Sequence, residues 1–172
     1  HCNFEFDLCG WKQDGNDDFD WNLRTSSTRK MHTGPATDHT LQEPTGHYIF
    51  IKSSFLQLPG QKARISSPVL SRRNKDCKVC VVGAIVLCLQ ILFYYHMSGA
   101  HVGSLIVYQR TTAKHEKILF NLTGNQGNFW QRKVLTLAGD GDEDFQVVFE
   151  GIAGKGPKDG IALDDLTLSK EC

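Results

Sequence analysis

Short strand-like segments separated by glycine-rich turns follow one another along almost the whole chain, and this pattern restricts its fold more than any other feature. Some segments are continuously apolar and others alternate apolar with polar residues, which is the period of a β-strand. No stretch shows a convincing helical period. The pattern predicts an all-β sandwich or barrel. The predicted strands are residues 2–7, 19–21, 48–51, 63–65, 105–108, 117–120, 134–137, 145–149 and 161–168.

One segment is far more apolar than the rest. Residues 79–95 contain no charged side chain. As a helix they would span about 25 Å, which is shorter than the roughly 30 Å hydrocarbon core of a bilayer. A membrane helix here would also place the strands on its two sides in different compartments, where they could not share a core. We therefore predict one or two strands buried on both faces.

Charge and cysteine content limit the classes of function. The 172 residues contain 19 Lys and Arg against 19 Asp and Glu. Nucleic-acid-binding and polybasic membrane-surface proteins need a basic excess, so both classes are disfavoured. Six cysteines and the glycosylation sequon Asn121-Leu122-Thr123 indicate an oxidising, secretory environment. We expect a domain of a larger secreted or membrane-anchored protein, glycosylated at Asn121.

Motifs that support catalysis or metal binding are incomplete. Cys77-x2-Cys80 followed by His96 and His101 has the spacing of a zinc site, but the residues between them are apolar and strand-like. The acidic runs 14–18 and 140–144 lack the Gly and Glu of a calcium loop. The sequence contains no nucleophile elbow, phosphate loop or dinucleotide-binding glycine pattern. We therefore predict a protein that is not an enzyme and requires no cofactor.

Asp164 is an acidic residue on an apolar strand face. Its strand neighbours of the same parity are Ala162, Leu166 and Leu168. A buried carboxylate needs hydrogen bonds, a paired charge or a cation. One interpretation is bonding to backbone N–H groups or to Arg64. The other is a structural Ca²⁺ site with Glu5 and Asp7 as further oxygen ligands, and the sequence leaves both open.

Many motifs, in order along nearly the whole chain, resemble those of the MAM domain, an extracellular module. The N-terminal motifs are Cys2-x-Phe4-Glu5, Cys9-Gly10-Trp11, Asp18-Phe19-Asp20-Trp21, Gly34-Pro35, Asp38-His39-Thr40 and Gly46-x-Tyr48. The later motifs are residues 63–68, 93–99, 103–107, Gly124-Asn125-Gln126-Gly127-x-x-Trp130, 145–151, 161–166 and the final Cys172. The number and order of these matches make the resemblance more specific than any single motif above.

The resemblance implies one domain over residues 1–172, folded as a jelly-roll β-sandwich of two antiparallel sheets. It implies a non-catalytic module for adhesion and oligomer contacts in the ectodomains of receptors, adhesion proteins and membrane proteases. Partners would be extracellular proteins, including copies of the same chain, with membrane attachment only through the parent protein.

A second class of function is a carbohydrate- or small-ligand-binding jelly roll. Its site would lie on loops such as 14–18 or 139–144. An exposed Trp130 near these loops would favour glycan stacking, whereas a buried Trp130 favours the interaction module.

The cysteines predict two disulfides. Cys2 and Cys9 differ in parity, the chain turns after them, and the resemblance implies the same pair. The resemblance also implies that Cys172 pairs with a cysteine just before the strand that begins at Phe93. Cys88 lies five residues before Phe93, two more than in the family pattern, and this shift keeps side-chain parity. We predict the pair Cys88–Cys172.

Two further cysteines, Cys77 and Cys80, are supernumerary to the family pattern. Either of them is the main competitor of Cys88 for Cys172. They lie in an apolar insertion at about 77–92 that the family does not usually contain. A divergent exon and a faulty gene model would both produce such a segment.

Overall fold

The computed structural model describes residues 1–28, 33–52, 58–70, 80–82, 85–87, 89–137, 143–156 and 158–169. These residues form β-strands and one turn of 3-10 helix at Ser26–Thr28. The strands are β1 (Lys12–Gln13), β2 (Asn22–Thr25), β3 (His47–Lys52), β4 (Lys62–Ser66), β5 (Cys80–Val82), β6 (Ile85–Leu87), β7 (Gln90–Ser98), β8 (Ser104–Thr111), β9 (Glu116–Thr123), β10 (Gly127–Thr136), β11 (Phe145–Ile152) and β12 (Gly160–Ser169).

Two five-stranded sheets make up the sandwich. The first has the strand order β1-β4-β11-β8-β9, and the second has the order β10-β7-β12-β3-β2. Neighbouring strands in both sheets run antiparallel. In the described part of the chain, β5 and β6 form a separate two-stranded ribbon. The architecture confirms the predicted jelly-roll β-sandwich of two antiparallel sheets.

The main core lies between the two sheets. Phe149 of the first sheet and Phe93 of the second meet there, with ring centroids 4.9 Å apart. Trp11 adds a third ring, 5.6 Å from that of Phe149. Trp21 is also buried, and its indole N–H donates to the carbonyl oxygen of Ala63 at 3.0 Å. Large rings that are buried with their polar atoms satisfied supply much of the stability of such a fold.

The apolar stretch 79–95 contains β5, β6 and most of β7 in its described residues. Strand β7 lies between β10 and β12 in the middle of the second sheet. From Gln90 to Tyr95 its side chains alternate between partly buried and buried, so one face of this half of the strand is only partly covered. No helix among the described residues is long and apolar enough to cross a bilayer.

Residues 2–7 do not form a strand, so that prediction is wrong. Cys2 makes a single antiparallel bridge to Leu166, and the chain then bends. Phe4 has a φ of 58°, in the left-handed region, which breaks an extended backbone. Phe4 is fully buried and Phe6 is 92% exposed. The alternation in the sequence therefore reflects a loop anchored by one ring.

The core-facing side predicted for the last strand is correct for Leu166 and Leu168 but wrong for Ala162 and Asp164. A register shift lies between Asp164 and Thr167 of β12, and Asp165 has a φ of 50°. A bulge of this kind moves the side chains after it to the opposite face. Leu166 therefore packs in the main core. Ala162, which precedes the bulge, packs on the outer face of the second sheet, and Asp164 shares its parity and that outer face.

Candidate interaction surface

A disulfide closes the N-terminal loop from Cys2 to Cys9, with 5.7 Å between their Cα atoms. The loop starts where Cys2 and Leu166 exchange two backbone hydrogen bonds, at 2.8 and 2.9 Å. Phe4 anchors the loop in the core, and Phe6 projects into solvent. The sequence did not distinguish these two rings, because both occupy apolar positions of the same alternation.

Side chains of the loop fix its backbone. Asp7 Oδ1 accepts a hydrogen bond from the N–H of Cys9 at 2.8 Å. One carboxylate oxygen of Glu5 accepts from the backbone N–H of His47 at 2.9 Å, and the other lies 3.3 Å from the Nδ1 of His47. Such turn-forming bonds replace the strand pairing that this segment lacks. The exposed ring of Phe6 therefore projects from a rigid support.

The predicted calcium ligands Glu5, Asp7 and Asp164 are not brought together. Because residues 2–7 form a loop, Glu5 turns to His47 and Asp7 is exposed to solvent. Among the described residues, no group of three or more His, Cys, Asp and Glu side chains could hold a metal ion. A calcium site is not supported, and Asp164 bonds to backbone N–H groups.

Asp164 is fully buried on the outer side of β12. Its Oδ2 accepts from the N–H of His39 at 2.8 Å and from that of Thr40 at 3.3 Å, and its Oδ1 accepts from the N–H of Asp165 at 2.8 Å. Burial, followed by the neighbouring carboxylate of Asp165, raises the pKa of Asp164 to about 8, although the backbone donors act in the opposite direction. Asp164 therefore holds its proton to higher pH in the folded chain than an exposed aspartic acid does.

Asp164 and Asp165 together fasten a segment that we term the covering loop, residues 33–46. The ring of His39 stacks on Tyr94 with centroids 3.5 Å apart, and its Nδ1 lies 2.5 Å from Oδ2 of Asp165. His1 lies on the other side, with its Nε2 3.3 Å from Oδ1 of Asp165. His39 was missed as a structural residue because its only signal in the sequence is the motif Asp38-His39-Thr40.

Trp130 also holds the covering loop, two residues before His39. Its indole N–H donates to the carbonyl oxygen of Thr37 at 2.9 Å. Its half-buried ring meets the edges of Tyr48 and His96, each with centroids 5.8 Å apart. Burial lowers the pKa of His96, whose Nε2 lies 2.9 Å from the Oδ1 of Asn128. Trp130 is thus a packing residue of the outer face.

The raised pKa of Asp164 predicts a specific pH dependence of stability. Its folded pKa, about 8, exceeds the ordinary aspartate value of 3.8, so the folded state binds more protons than the unfolded state between these values. The stabilisation that the proton on Asp164 contributes to the folded state is full below about pH 4 and is lost as pH rises through 8. This fall in the free energy of unfolding is about 1.4 kcal/mol per pH unit between the two pKa values, and Asp164→Asn should remove it.

Thermal unfolding of wild type and Asp164→Asn from pH 5 to 8.5, at constant ionic strength, tests this prediction. The difference between their midpoints should change with pH. The exposed Asp20 supplies a matched variant, Asp20→Asn, which should leave the wild-type profile unchanged. Parallel profiles for wild type and Asp164→Asn would contradict the prediction.

The outer face of the first sheet holds a paired charge network. The Nη2 of Arg64 lies 2.7 Å from Glu116, and its Nε lies 3.1 Å from buried Glu150. The hydroxyl of Tyr108 donates to Glu150 at 3.1 Å. Burial and the Glu150 carboxylate raise the pKa of Tyr108 to about 12. Arg64, the predicted alternative partner of Asp164, therefore belongs to the opposite sheet and is paired there.

The acidic loop 14–18 covers the edge of β4. Asp17 accepts from the N–H of Arg64 at 2.6 Å, and Asp18 accepts from the N–H of Lys62 at 2.8 Å. Asp14 lies 2.7 Å from Arg110, and its bonds to Arg110 and Ser66 outweigh the effect of burial and lower its pKa. These carboxylates satisfy strand amides, so the loop is structural and not an open ligand site.

Several predicted residues fall outside the described chain. Cys77, Cys88 and Cys172 lie outside it, as do residues 139–142 of the second predicted ligand loop. Cys80 begins β5. The sequon residue Asn121 is described, exposed, and part of β9.

Comparison with known proteins gives a match over nearly the full chain. The family model described as "MAM domain, meprin/A5/mu" matches residues 2–172. MAM domain-containing glycosylphosphatidylinositol anchor protein 1 of Gallus gallus is 37% identical over 98% of this chain, and neuropilin-1 of Gallus gallus is 35% identical over 94%. The chain spans only 17% and 15% of these two relatives.

Solved structures share the fold at low sequence identity. The K2 cleaved adhesin domain of Lys-gingipain gives a TM-score of 0.62 at 14% identity, covering 99% of this chain and 97% of that domain. A carbohydrate-binding module of the β-sandwich superfamily gives 0.58 at 14% identity, covering 98% of this chain and 60% of the other. At such identities the likeness concerns the fold alone.

Proposed function

The chain belongs to the MAM domain family, and from this we propose that it is a non-catalytic extracellular module that binds other proteins. It acts within the ectodomain of a larger secreted or membrane-anchored protein. Its partners are extracellular proteins, including further copies of the same chain, and no cofactor takes part. The anchor proteins among its relatives and the disulfide Cys2–Cys9 support an extracellular location, because disulfides persist in oxidising compartments.

The observation that carries this proposal is the exposed ring of Phe6. An aromatic side chain that is 92% exposed contributes little to the stability of the free monomer. Aromatic rings bury about 150–250 Å² when a partner covers them, and they dominate the energetics of many interfaces. Because the disulfide and the bonds of Asp7 and Glu5 already fix the loop, binding costs little conformational entropy.

A carbohydrate-binding function has less support. Trp130 is half-buried among rings, and its N–H is bonded to the covering loop. The carboxylates of loop 14–18 are engaged with β4. Neither feature offers an open stacking platform with free polar groups beside it, and this favours the interaction module.

Phe6→Ser should weaken partner binding about tenfold or more, which corresponds to roughly 1.4 kcal/mol or more. Beads coated with the secreted chain can be scored for aggregation with one another and for attachment to cultured cells. The thermal midpoint should not change, because Phe6 makes almost no contact in the monomer. Phe129→Ser, which alters another exposed phenylalanine, is the matched control. Equal attachment and aggregation by wild type and Phe6→Ser would refute the role of this loop.

The remaining cysteine pairing stays part of the same proposal. We propose a disulfide between Cys88 and Cys172. The roles of Cys77 and Cys80 are left open. These two cysteines lie in the insertion at about 77–92 of a single domain that spans residues 1–172. Non-reducing peptide mapping of secreted material reads the pairing directly. Recovery of Cys172 joined to Cys77 or Cys80 would overturn it.

A further inference from the structure

Strand β9 is an edge of the first sheet, and among the described residues half of it lacks the usual protection of an edge. The sandwich has four edge strands, β1, β9, β10 and β2. Edges are commonly protected by short length or by charged side chains. Strand β1 has two residues, β2 has four and includes Arg24, and β10 contains Arg132 and Lys133.

Charged residues on β9 are confined to its start. Glu116 and Lys117 begin the strand, and the following residues, 118–123, read ILFNLT. This run is uncharged, contains no Pro or Gly and is rich in β-forming residues, which is the composition of a segment prone to strand pairing. Ile118 is also 55% exposed.

In the same half of β9, alternate residues direct their backbone N–H and C=O groups away from β8. The N–H of Gly124 donates to the carbonyl oxygen of Gly103 across to the β8 side at 2.9 Å. Paired residues of an antiparallel ladder alternate between bonding each other and directing their N–H and C=O groups away. In the register of β8 and β9, Thr123 and Asn121 are one and three positions from Gly124. Asn121 and Thr123 therefore direct their backbone N–H and C=O groups toward the edge, where the carbonyl oxygen of Thr123 accepts a hydrogen bond from the Nε2 of Gln126 at 3.3 Å.

These two residues are the first and third of the sequon. We propose that an N-linked oligosaccharide on Asn121 covers the open edge of β9 and prevents the β9 strand of a second copy from adding to the sheet. Asn121 is exposed, so the folded chain has room for the sugar. The glycan then protects the uncharged half of the strand, as Glu116 and Lys117 protect the other.

The modification takes place on the chain during secretion, and its co-reactant is a polyprenyl-pyrophosphate-linked oligosaccharide. The carboxamide nitrogen of Asn121 loses one proton and bonds to C1 of the first sugar. The bond from C1 to the pyrophosphate oxygen breaks, and the lipid pyrophosphate leaves with that electron pair and takes up the proton. Thr123 completes the recognition sequence.

Four variants of the full chain, secreted from mammalian cells, test the proposal. Asn121→Gln and Thr123→Ala remove the sequon, whereas Thr123→Ser keeps it. Asn121→Lys removes the glycan but puts a cation on the edge. Peptide mass spectrometry should find Asn121 glycosylated in wild type and in Thr123→Ser. Sedimentation velocity should find about tenfold more associated chain in Asn121→Gln and Thr123→Ala, with Asn121→Lys close to wild type.

The Lys variant separates edge protection from a general effect of the sugar on solubility. Retention of Asn121→Gln in the cell while Asn121→Lys is secreted would also support the proposal. An unmodified Asn121, a monomeric Asn121→Gln, equal association of the Gln and Lys variants, or loss of secretion in both would overturn it. Association through Phe6 is common to all four variants, so it does not affect the comparison.

Discussion

Phe149→Ala is expected to lower the free energy of unfolding by about 4 kcal/mol, within the range measured for buried phenylalanines. Phe149 is fully buried, and its ring meets Phe93 of the opposite sheet and Trp11 of the N-terminal segment. Removing the ring eliminates the contact that joins three parts of the core. It also leaves a cavity that neighbouring aromatic rings cannot fill without leaving their rotamers.

Denaturant unfolding monitored by tryptophan fluorescence measures this loss. Phe129→Ala removes the same side chain from a site that is 59% exposed, and it should change stability by only about 0.5 kcal/mol. A loss below about 1 kcal/mol for Phe149→Ala would contradict the central position assigned to this ring.

Gly103→Ala is expected to destabilise the fold by about 3 kcal/mol, at the upper end of the usual range for overpacking. A Cβ at Gly103 would lie 1.9 Å from the carbonyl oxygen of Ile152 and 2.8 Å from the nitrogen of Gly154. A Cβ at Gly154 would lie 1.8 Å from the carbonyl oxygen of His101. Both obstacles are backbone atoms, which cannot move aside as a flexible side chain can.

The control for this prediction is Gly15→Ala. A Cβ at Gly15 meets no atom within 4 Å, so its effect should stay within about 0.5 kcal/mol. Gly154→Ala should match Gly103→Ala, because the two glycines lie against each other. Equal stability of the Gly15 and Gly103 variants would contradict this prediction, because the backbone segments around Gly103 and Gly154 could then move apart without loss of stability.

Strand positions were predictable from the sequence because they follow from a local pattern. Most predicted segments coincide with observed strands, including 145–149 within β11 and 161–168 within β12. The number of sheets and their antiparallel pairing came from the resemblance to a known family. Periodicity alone could not choose between a sandwich and a barrel.

Residues 19–21, which make only an isolated bridge at Phe19, precede the observed strand β2, whereas the failures at residues 2–7 and in β12 share one physical cause, which is an interruption of the extended backbone. Positive φ angles at Phe4 and Asp165 stop the alternation of faces. Phe rarely adopts this conformation, and Asp adopts it more often but only in a small fraction of cases. The calcium site of Glu5, Asp7 and Asp164 was inferred from side-chain alternation in residues 2–7 and in β12. Because the alternation is interrupted in both segments, the three carboxylates do not meet. The exposure of Phe6 and the stacking of His39 could not be predicted from the sequence, because both depend on contacts between distant segments.

The bridge between Cys2 and Leu166 determines how the fold responds to a pulling force. His1 and Thr167 lie side by side there, with 2.7 Å between His1 Nδ1 and Thr167 Oγ1, so a force between His1 and the last residues of β12 acts at one end of this bridge. Such a force would break the two backbone hydrogen bonds between Cys2 and Leu166 one after the other and not both at once. Peeling would then stop at Cys9, because the disulfide shortens the chain that can be released and transfers the load to the buried Trp11.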